Sequence, residues 1–441
     1  MSARHRATTE ADAMHPVCVI GAGSSGLAVL KELCGRGIEA DCLESRDGVG
    51  GLWRYSEDPA VGHAYAALHP NTSRPVMSFA GHPMPPDWPD YPSHEWILRY
   101  LEDFVEHFGL ARHIELGRTV ERAEPRDDGN WRVVLDGGEE RTYRAVVVAS
   151  GASHGAAIVP PLAGTFEGLQ LHAGHYRRPD PFAGLRVCVV GLGASAADLA
   201  VDLSRVAEKV WLSARSGVWI VPRMVGSKPL DQLNSPVVAK VPTPIRRFLE
   251  RAMWRAAVGK PSDYGLPEPT HPVGTGPYTI TSSLLPAIRM GQVWPRPGIA
   301  RLEPRAVVFT DDTREEVDAI VWCTGYRVEV PYLPAGLVAG GECPPLFLRV
   351  VHPEVDGLFF AALLQPLGST FPIAEAQSRL IADALDGSLR LPPREEMRRR
   401  AVEDARLQRR RFARPSRGLM VDPAIYLPEL ERENRALRRG R

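Results

Sequence analysis

The chain has 441 residues, of which 44% are hydrophobic and 24% charged, so it has the composition of a soluble globular protein too long for one core. Its formal net charge of +0 gives no indication of nucleic acid as a partner. No stretch of about 18 apolar residues predicts a membrane-spanning helix. We therefore expect a cytoplasmic protein that binds neither nucleic acid nor a membrane.

The chain start and the cysteines add two expectations. Residues 1–14 are polar and lack an apolar segment, which predicts a disordered tail rather than a signal peptide. The six cysteines are scattered without CxxC spacing, and Cys18 and Cys188 lie in apolar runs, so reduced thiols are expected. No metal site is predicted, because ligand spacing is also absent from the clustered histidines His63, His69, His172 and His175.

A strand, a glycine-rich loop and a helix follow one another from His15 onward. The loop GAGSSG permits a tight turn at its first glycine, close approach of a pyrophosphate at its second and close helix–strand packing at its third. An acidic residue closes the next strand, where it can accept from ribose hydroxyls; the alternative is a solvated surface glutamate. The predicted dinucleotide-binding residues here are Gly21, Gly23, Ser25, Gly26 and Glu44.

The segment between the two glycine loops predicts a helix and two strands. Ser93 is a suitable N-cap, and apolar residues recur at helical spacing from Ile97 to Phe108. Strand-like runs follow at Trp131–Leu135 and Tyr143–Ala149.

A second strand, loop and helix repeat this pattern between Leu185 and Leu203. The loop GLGASA has alanine at the third glycine position, a permitted variant. The next strand ends in an arginine, which pairs with the 2′-phosphate of NADPH, whereas an acid would favour NADH; an ordinary surface arginine is the alternative. The predicted cofactor-binding residues here are Gly191, Gly193, Ser195, Ala196, Asp198 and Arg215.

The remaining elements continue the α/β pattern. Residues 225–280 are rich in Pro and Gly around one amphipathic helix, and this segment could border a binding cleft. The apolar residues of that helix are Ile245, Phe248, Leu249 and Met253. Strands are predicted at Ala306–Thr310 and Ala319–Cys323, and a helix from Pro372 to Leu385 before Gly387. The Arg-rich stretch from Arg394 to Arg417 also carries acids, so a solvated helix face is expected.

The repeated order of strand, glycine-rich loop and helix predicts an α/β fold with two doubly wound, Rossmann-like dinucleotide-binding domains.

Several ordered motifs resemble one family. Residues 166–176 (FEGLQLHAGHY) fit FxGxxxHxxxY, residues 50–53 resemble GGxW, and residues 318–326 resemble DxxxxATGY with Cys323 in place of alanine. From His15 to Tyr426 the chain resembles the flavin-containing monooxygenases, which include the N,N-dimethylaniline monooxygenase type. The sister Baeyer–Villiger monooxygenases carry Trp-Pro where this chain has Tyr176-Arg177, and that difference favours the flavin-containing branch.

This resemblance implies FAD at the first loop and NADPH at the second. It also implies that the NADPH domain is inserted into the FAD domain. We expect the FAD domain to comprise residues 15–165 and 317–441, and the NADPH domain residues 166–316. The resemblance places the backbone of Gly51, Leu52 and Trp53 along the flavin, and it places Asn71, followed by Thr72, between flavin and nicotinamide. A neutral amide can donate there without giving up a proton, so Asn71 is the predicted catalytic residue; a turn-forming asparagine is the alternative. His172 is expected to be a hinge or packing residue.

The implied reaction uses NADPH to reduce the flavin and O2 to form a C4a-hydroperoxyflavin, which transfers one oxygen atom to an amine nitrogen or a sulfide of a small molecule. Baeyer–Villiger oxygenation of a ketone and uncoupled NADPH oxidation are the alternatives within this fold. A nucleotide-binding module without turnover also stays open, whereas a disulfide reductase would need a cysteine pair that the sequence lacks. The expected partners are the substrate and O2, with a homodimer as one assembly left open.

Overall fold

The computed structural model describes residues 15–58, 61–151, 155–233, 243–276, 278–338, 344–412 and 419–439. The tail predicted at 1–14, the end of the predicted Arg-rich stretch and Cys343 lie outside these ranges. Within them, no helix has both the length and the apolar character needed to cross a membrane.

The first unit is built on a five-stranded parallel sheet. Its strands are β1 (Val17–Ile20), β2 (Ala40–Glu44), β3 (Ile114–Leu116), β7 (Ala145–Val148) and β21 (Leu358–Phe360). They lie side by side in the order β21-β7-β1-β2-β3. The central strands are apolar and buried because helices and loops cover both faces, as parallel sheets require. The edge strand β21 comes from late in the chain, so the second unit is inserted into the first.

The second unit repeats this architecture with the strands β9 (Leu169–His172), β10 (Arg186–Val190), β11 (Lys209–Ser213), β16 (Trp294–Arg296) and β20 (Ala319–Trp322). These strands are parallel and lie in the order β16-β11-β10-β20-β9. Two doubly wound sheets confirm the predicted fold class. Because β20 pairs with β10 and β9, the domain boundary predicted between residues 316 and 317 falls before the last strand of the second sheet and is too early there.

Smaller sheets connect and flank the two units. One is three-stranded and antiparallel, formed by β4 (Val120–Pro125), β5 (Trp131–Leu135) and β6 (Glu140–Tyr143). The run predicted as one strand at Tyr143–Ala149 is thus divided between β6 and β7. Another joins β8 (Ala163–Gly164), β17 (Ile299–Glu303), β18 (Ala306–Phe309) and β19 (Arg314–Glu316). Short pairs are formed by β12 (Trp219–Val221) with β15 (Tyr278–Ile280), β13 (Met224–Val225) with β14 (Lys228–Pro229), and β22 (Gln365–Pro366) with β23 (Met420–Val421).

Eight α-helices with the following bounds lie in the described ranges: α1 (Ser24–Cys34), α2 (His94–His107), α3 (Ala194–Leu203), α4 (Thr243–Val258), α5 (Leu284–Arg289), α6 (Phe371–Leu385), α7 (Arg394–Arg411) and α8 (Pro423–Arg439). Ser93 occupies the N-cap of α2 as predicted, although its side chain makes no capping bond. The predicted helix from Pro372 is α6, and Gly387 follows it with a φ of 74°.

Helix α4 is the predicted amphipathic helix, but most of the apolar residues named for it lie outside its packed face. Ile245, Phe248 and Leu249 are 54%, 70% and 55% exposed. The helix packs against β12 through Trp254, which is buried against Trp219. Helical periodicity identified the apolar stripe, but it could not show whether a neighbouring element covers it.

Each unit has its own core. In the first, α1 packs against α6 beneath the sheet; in the second, α3 packs against β10, β11 and α5. Cys18 and Cys188 are fully buried in β1 and β10, and burial raises the pKa of both thiols. These two cysteines are therefore core residues held as neutral thiols.

Candidate functional site

The first glycine loop connects β1 to α1 with no room for side chains at its turning points. Gly21 has a φ of 104°, in the left-handed region, and a Cβ there would lie 2.9 Å from the carbonyl oxygen of Ala149. A Cβ on Gly26 would overlap the carbonyl oxygen of Gly21. By contrast, a Cβ on Gly23 would meet only Gly51, at 3.5 Å, so its missing side chain leaves space for a ligand rather than for packing.

Glu44 ends β2 beside this loop and is 6% exposed. Its Oε2 accepts from the backbone N–H of Ala22 at 2.8 Å, and its Oε1 accepts from that of Arg46 at 3.0 Å. Oε1 also accepts from the Ser45 hydroxyl at 3.3 Å, whereas Oε2 keeps a second lone pair, so Glu44 can be held in place and still accept from a ribose hydroxyl. Ser25, in the first turn of α1, is partly exposed. The loop therefore fits the adenosine and pyrophosphate of a dinucleotide such as FAD.

The second loop has the same construction between β10 and α3. Gly191 has a φ of 134°, and its N–H donates to the carbonyl of Ser213 at 2.9 Å. A Cβ on Gly193 would meet nothing within 4 Å, so this position is again open to a ligand. Ala196 is fully buried in the place of the third glycine. Arg215 lies exposed beyond the end of β11, beside Gly298, where its guanidinium is accessible to a phosphate.

A cavity of about 310 Å³ is lined by residues of both units. Its walls bring together several predicted site residues, namely Leu52, Trp53, Asn71, Thr72, Ser195 and Asp198. The other predicted site residues are not among those that line it; these are the glycines of both loops, Ser25, Glu44, Gly51, Ala196 and Arg215. The cavity is thus the place where residues from the first unit and from the second glycine loop meet.

Asp198 lies in α3, just after the second glycine loop, and faces the first unit. Its Oδ2 accepts from the hydroxyl of Tyr65 at 2.8 Å, and its Oδ1 lies 3.6 Å from a guanidinium nitrogen of Arg223. Burial raises the pKa of the Asp198 carboxyl, and the positive charge of Arg223 opposes that rise. Asp198 therefore connects α3 to Tyr65 of the first unit and also lines the cavity.

Sequence reasoning assigned no role to several residues of the cavity wall. These are His63, Tyr65, Leu68, His69, Pro70, Met77, Ala194, Tyr326, Pro366, Gly368, Ser369 and Thr370. The position of residues 366–370 just before α6 was a usable signal, because Thr370 is the N-cap of that helix. Tyr65 carried no local signal, since its partner Asp198 is 133 residues away.

Comparisons with known proteins agree with this geometry. The Flavin-binding monooxygenase-like family matches residues 14–433. The chain belongs to this family. Flavin-containing monooxygenase 5 of Oryctolagus cuniculus is 33% identical over 405 residues, covering 86% of this chain and 75% of that protein. From the same organism, dimethylaniline monooxygenase [N-oxide-forming] 2 is 32% identical over 403 residues, with the same shares covered.

A solved structure shares the fold of this chain. That of S-allyl-L-cysteine S-oxygenase from Allium sativum superposes with a TM-score of 0.71 at 25% identity, covering 96% of this chain and 88% of that one. Membership of the family makes the protein an FAD- and NADPH-dependent monooxygenase, so the predicted enzyme class and cofactors are confirmed. The open glycine positions of the two loops leave room for both groups.

The family motif at residues 166–176 leads through β9 into a buried turn. His172 Nδ1 accepts from the N–H of Gly174 at 3.2 Å, and its ring packs edge-on against Tyr326 with centroids 4.8 Å apart. The hydroxyl of Tyr176 donates to buried Asp202 at 2.8 Å. These contacts place His172 in a packed turn, and burial lowers its pKa.

Proposed function

We propose that the protein transfers one oxygen atom of O2 to a soft nucleophile, an amine nitrogen or a sulfide sulfur, of a small molecule. In this reaction substrate, O2, NADPH and a proton give the oxygenated substrate, NADP⁺ and water. Reduced flavin supplies the oxygen activation when FAD is bound. The chain's own residues would bind and orient the cofactors, exclude water and present hydrogen-bond donors.

The observation that carries this proposal is the cavity that Asn71 lines together with Ser195 of the second glycine loop. An amide at this position can donate a hydrogen bond without being deprotonated near neutral pH, so it can stabilise a polar reacting group without protonating it. Leu52, Trp53 and Met77 supply apolar walls that limit water. Thr370 lines the same cavity, so the N-terminal end of α6 also directs its partial positive charge there.

Arg177 supports an N- or S-oxygenating enzyme over a Baeyer–Villiger enzyme. It stands where the Baeyer–Villiger enzymes carry proline, and its guanidinium donates to the carbonyl oxygens of Gly174 at 2.9 Å and Tyr176 at 2.8 Å. It also donates to those of Asp58 at 3.3 Å and Gly62. Proline has no side-chain donor, so the region beside the cavity is held differently in this chain.

The test is a product screen with purified, FAD-loaded protein, NADPH and O2. Separate incubations contain a tertiary amine, a sulfide or a cyclic ketone, and products are identified by mass spectrometry. We expect an N-oxide or S-oxide. Lactone without either oxide would replace this proposal with Baeyer–Villiger oxygenation, and hydrogen peroxide equal to all NADPH consumed, with every substrate, would indicate an oxidase. Failure of NADPH to reduce the flavin without oxygen would exclude every oxygenase function.

A further inference from the structure

A connected set of side chains reaches Asn71 from the second unit. Arg223 lies between β12 and β13, outside both glycine loops and the family motifs. Its Nη2 is 3.4 Å from Asn71 Oδ1 and also makes the 3.6 Å ion pair with Asp198. Asp198 in turn accepts from Tyr65. The amide of Asn71 thus has a cationic neighbour that is itself neutralised by an acid from the NADPH-binding helix.

We propose that Arg223 is a positioning residue that fixes which end of the Asn71 amide faces the cavity; this rests on the proposed function of that cavity. A guanidinium carries only donors, so it can bond the amide oxygen of Asn71 but not the amide nitrogen. With the oxygen held by Arg223, the NH2 group of Asn71 is the end left to donate into the cavity.

Arg223 is itself held from several directions before any ligand binds. Its backbone N–H donates to Ser282 Oγ at 3.1 Å, and its carbonyl accepts from the Tyr91 hydroxyl at 2.5 Å. The guanidinium carbon lies 5.9 Å from the centre of the Tyr91 ring. The side chain is only 19% exposed. A side chain restrained in this way loses little further conformational freedom when it orients Asn71.

The hairpin that follows Arg223 holds the same loop at a second point. β13 and β14 lead from Arg223 to Asp231, whose Oδ2 accepts from the N–H of Ser73 at 2.6 Å. Gln232 donates to the hydroxyl of the same serine at 3.1 Å. One segment of the second unit therefore contacts the loop at both residues 71 and 73. The direction of the Asn71 amide depends on this segment as well as on the loop's own turn.

The experiment is a double-mutant cycle on binding of NADP⁺ to the oxidised, FAD-loaded enzyme, which needs no turnover. The variants are Asn71→Ala, Arg223→Gln and the double variant. The matched control is Lys228→Gln, an exposed residue of β14 in the same hairpin. Dissociation constants are measured by titration calorimetry, and flavin content and melting temperature are recorded for each protein.

If Arg223 acts through Asn71, each single variant should raise the dissociation constant about fivefold to tenfold, the equivalent of one hydrogen bond. The dissociation constant of the double variant should not exceed the larger of the two single-variant values, because either single change already removes the interaction. Lys228→Gln should bind like the wild type. The share of consumed NADPH recovered as hydrogen peroxide should rise to the same level in Asn71→Ala, Arg223→Gln and the double variant.

The proposal would be overturned if the effects of the two single changes on the dissociation constant multiplied in the double variant. It would also be overturned if Arg223→Gln bound NADP⁺ like the wild type. If Arg223→Gln does not fold, Arg223→Met and its double variant with Asn71→Ala give the same cycle, because methionine has an unbranched side chain but no hydrogen-bond donor. Failure of the proposed function is distinguishable: the wild type would then form no oxygenated product while the binding cycle remained non-multiplicative.

Discussion

Gly23 and Gly26 lie three positions apart but are glycines for different reasons. The Cβ of an alanine at Gly26 would overlap a backbone carbonyl, whereas one at Gly23 would make only ordinary contact with Gly51. We therefore expect Gly23→Ala to keep the stability of the FAD-free protein but lose most bound FAD, because the methyl group fills the space that a pyrophosphate would approach. Gly26→Ala should destabilise the fold itself by about 1–3 kcal/mol.

The two glycine variants are compared by flavin absorbance per chain and by thermal melts of the FAD-free proteins. Gly193→Ala is the matching change in the second loop, where a Cβ would meet nothing within 4 Å. It should keep FAD and weaken only NADPH. A Gly23→Ala protein with a full complement of FAD would contradict the placement of the pyrophosphate.

Arg215 tests the choice of nicotinamide cofactor at a position that contributes little to the fold. Its side chain is exposed beyond β11. Loss of a charge-assisted bond to the 2′-phosphate should cost about 1.5–3 kcal/mol, so Arg215→Ala should raise the KM for NADPH by at least about tenfold. The KM for NADH, which lacks that phosphate, should change less than about twofold. Steady-state kinetics with both cofactors give the comparison, and equal effects would remove Arg215 from the site.

At the scale of elements, α6 is tied to both α1 and the C-terminal helix α8 by a single carboxylate. Asp383 is fully buried in α6. It accepts from Arg438 at 2.8 Å and Asn434 at 2.9 Å on α8, and also from Arg36 just after α1. Burial alone would raise the pKa of Asp383, but hydrogen bonds from Arg438 and Arg36 outweigh it and lower the pKa.

We expect Asp383→Asn to lower the free energy of unfolding by about 2–3 kcal/mol at pH 7, below the cost of a wholly buried pair because both arginines reach solvent. A carboxylate whose pKa is lowered on folding stabilises the protein above its unfolded pKa of about 4, and that stabilisation is lost as the pH falls through the folded value. The difference between wild type and variant should therefore shrink below about pH 4.

Urea unfolding at several pH values measures this difference. Asp386→Asn is the control, because Asp386 pairs with Arg36 at 2.9 Å but is 24% exposed. It should cost less than about 1 kcal/mol. A stability difference for Asp383→Asn that is independent of pH between 3 and 7 would show that the carboxylate charge is not what holds α8.

At the scale of the whole molecule, Arg177 connects the two units through a guanidinium that donates to backbone carbonyls. It is 7% exposed and donates to Asp58 and Gly62 of the first unit and to the turn that contains Gly174. Burial lowers the pKa of its guanidinium, but arginine remains charged near neutral pH. Because carbonyl oxygens are its acceptors, the contact fixes position rather than forming an ion pair.

Arg177→Met should lower the free energy of unfolding by about 2–4 kcal/mol, since several carbonyls lose a charged donor. It should also slow flavin reduction by NADPH, because the two units are then held less accurately. Stopped-flow reduction without oxygen and denaturant unfolding measure the two effects. Arg178→Met is the control, since the Arg178 side chain is 51% exposed and pairs with Glu57 at the surface. Equal behaviour of the two variants would exclude a coupling role for Arg177.

Predictions from the sequence succeeded where short-range physics decides structure. A turn with positive φ, a helix that starts at the end of an apolar strand and a stretch of buried parallel strand are each contained in about ten residues. The loops at Gly21 and Gly191 and the start of α6 were predictable for this reason. The exposure of most apolar residues of α4 was not predictable, because an amphipathic pattern identifies an apolar stripe but not whether another element covers it.

The sequence by itself determined two dinucleotide-binding units, their order and the family to which they belong, since each is encoded by contiguous motifs. Only the tertiary structure decided what surrounds the amide of Asn71. Arg223 is 152 residues from Asn71 along the chain, and Tyr65 is 133 residues from Asp198. Such pairs form only after two separately wound sheets pack together, because no local pattern constrains side chains that distant in sequence.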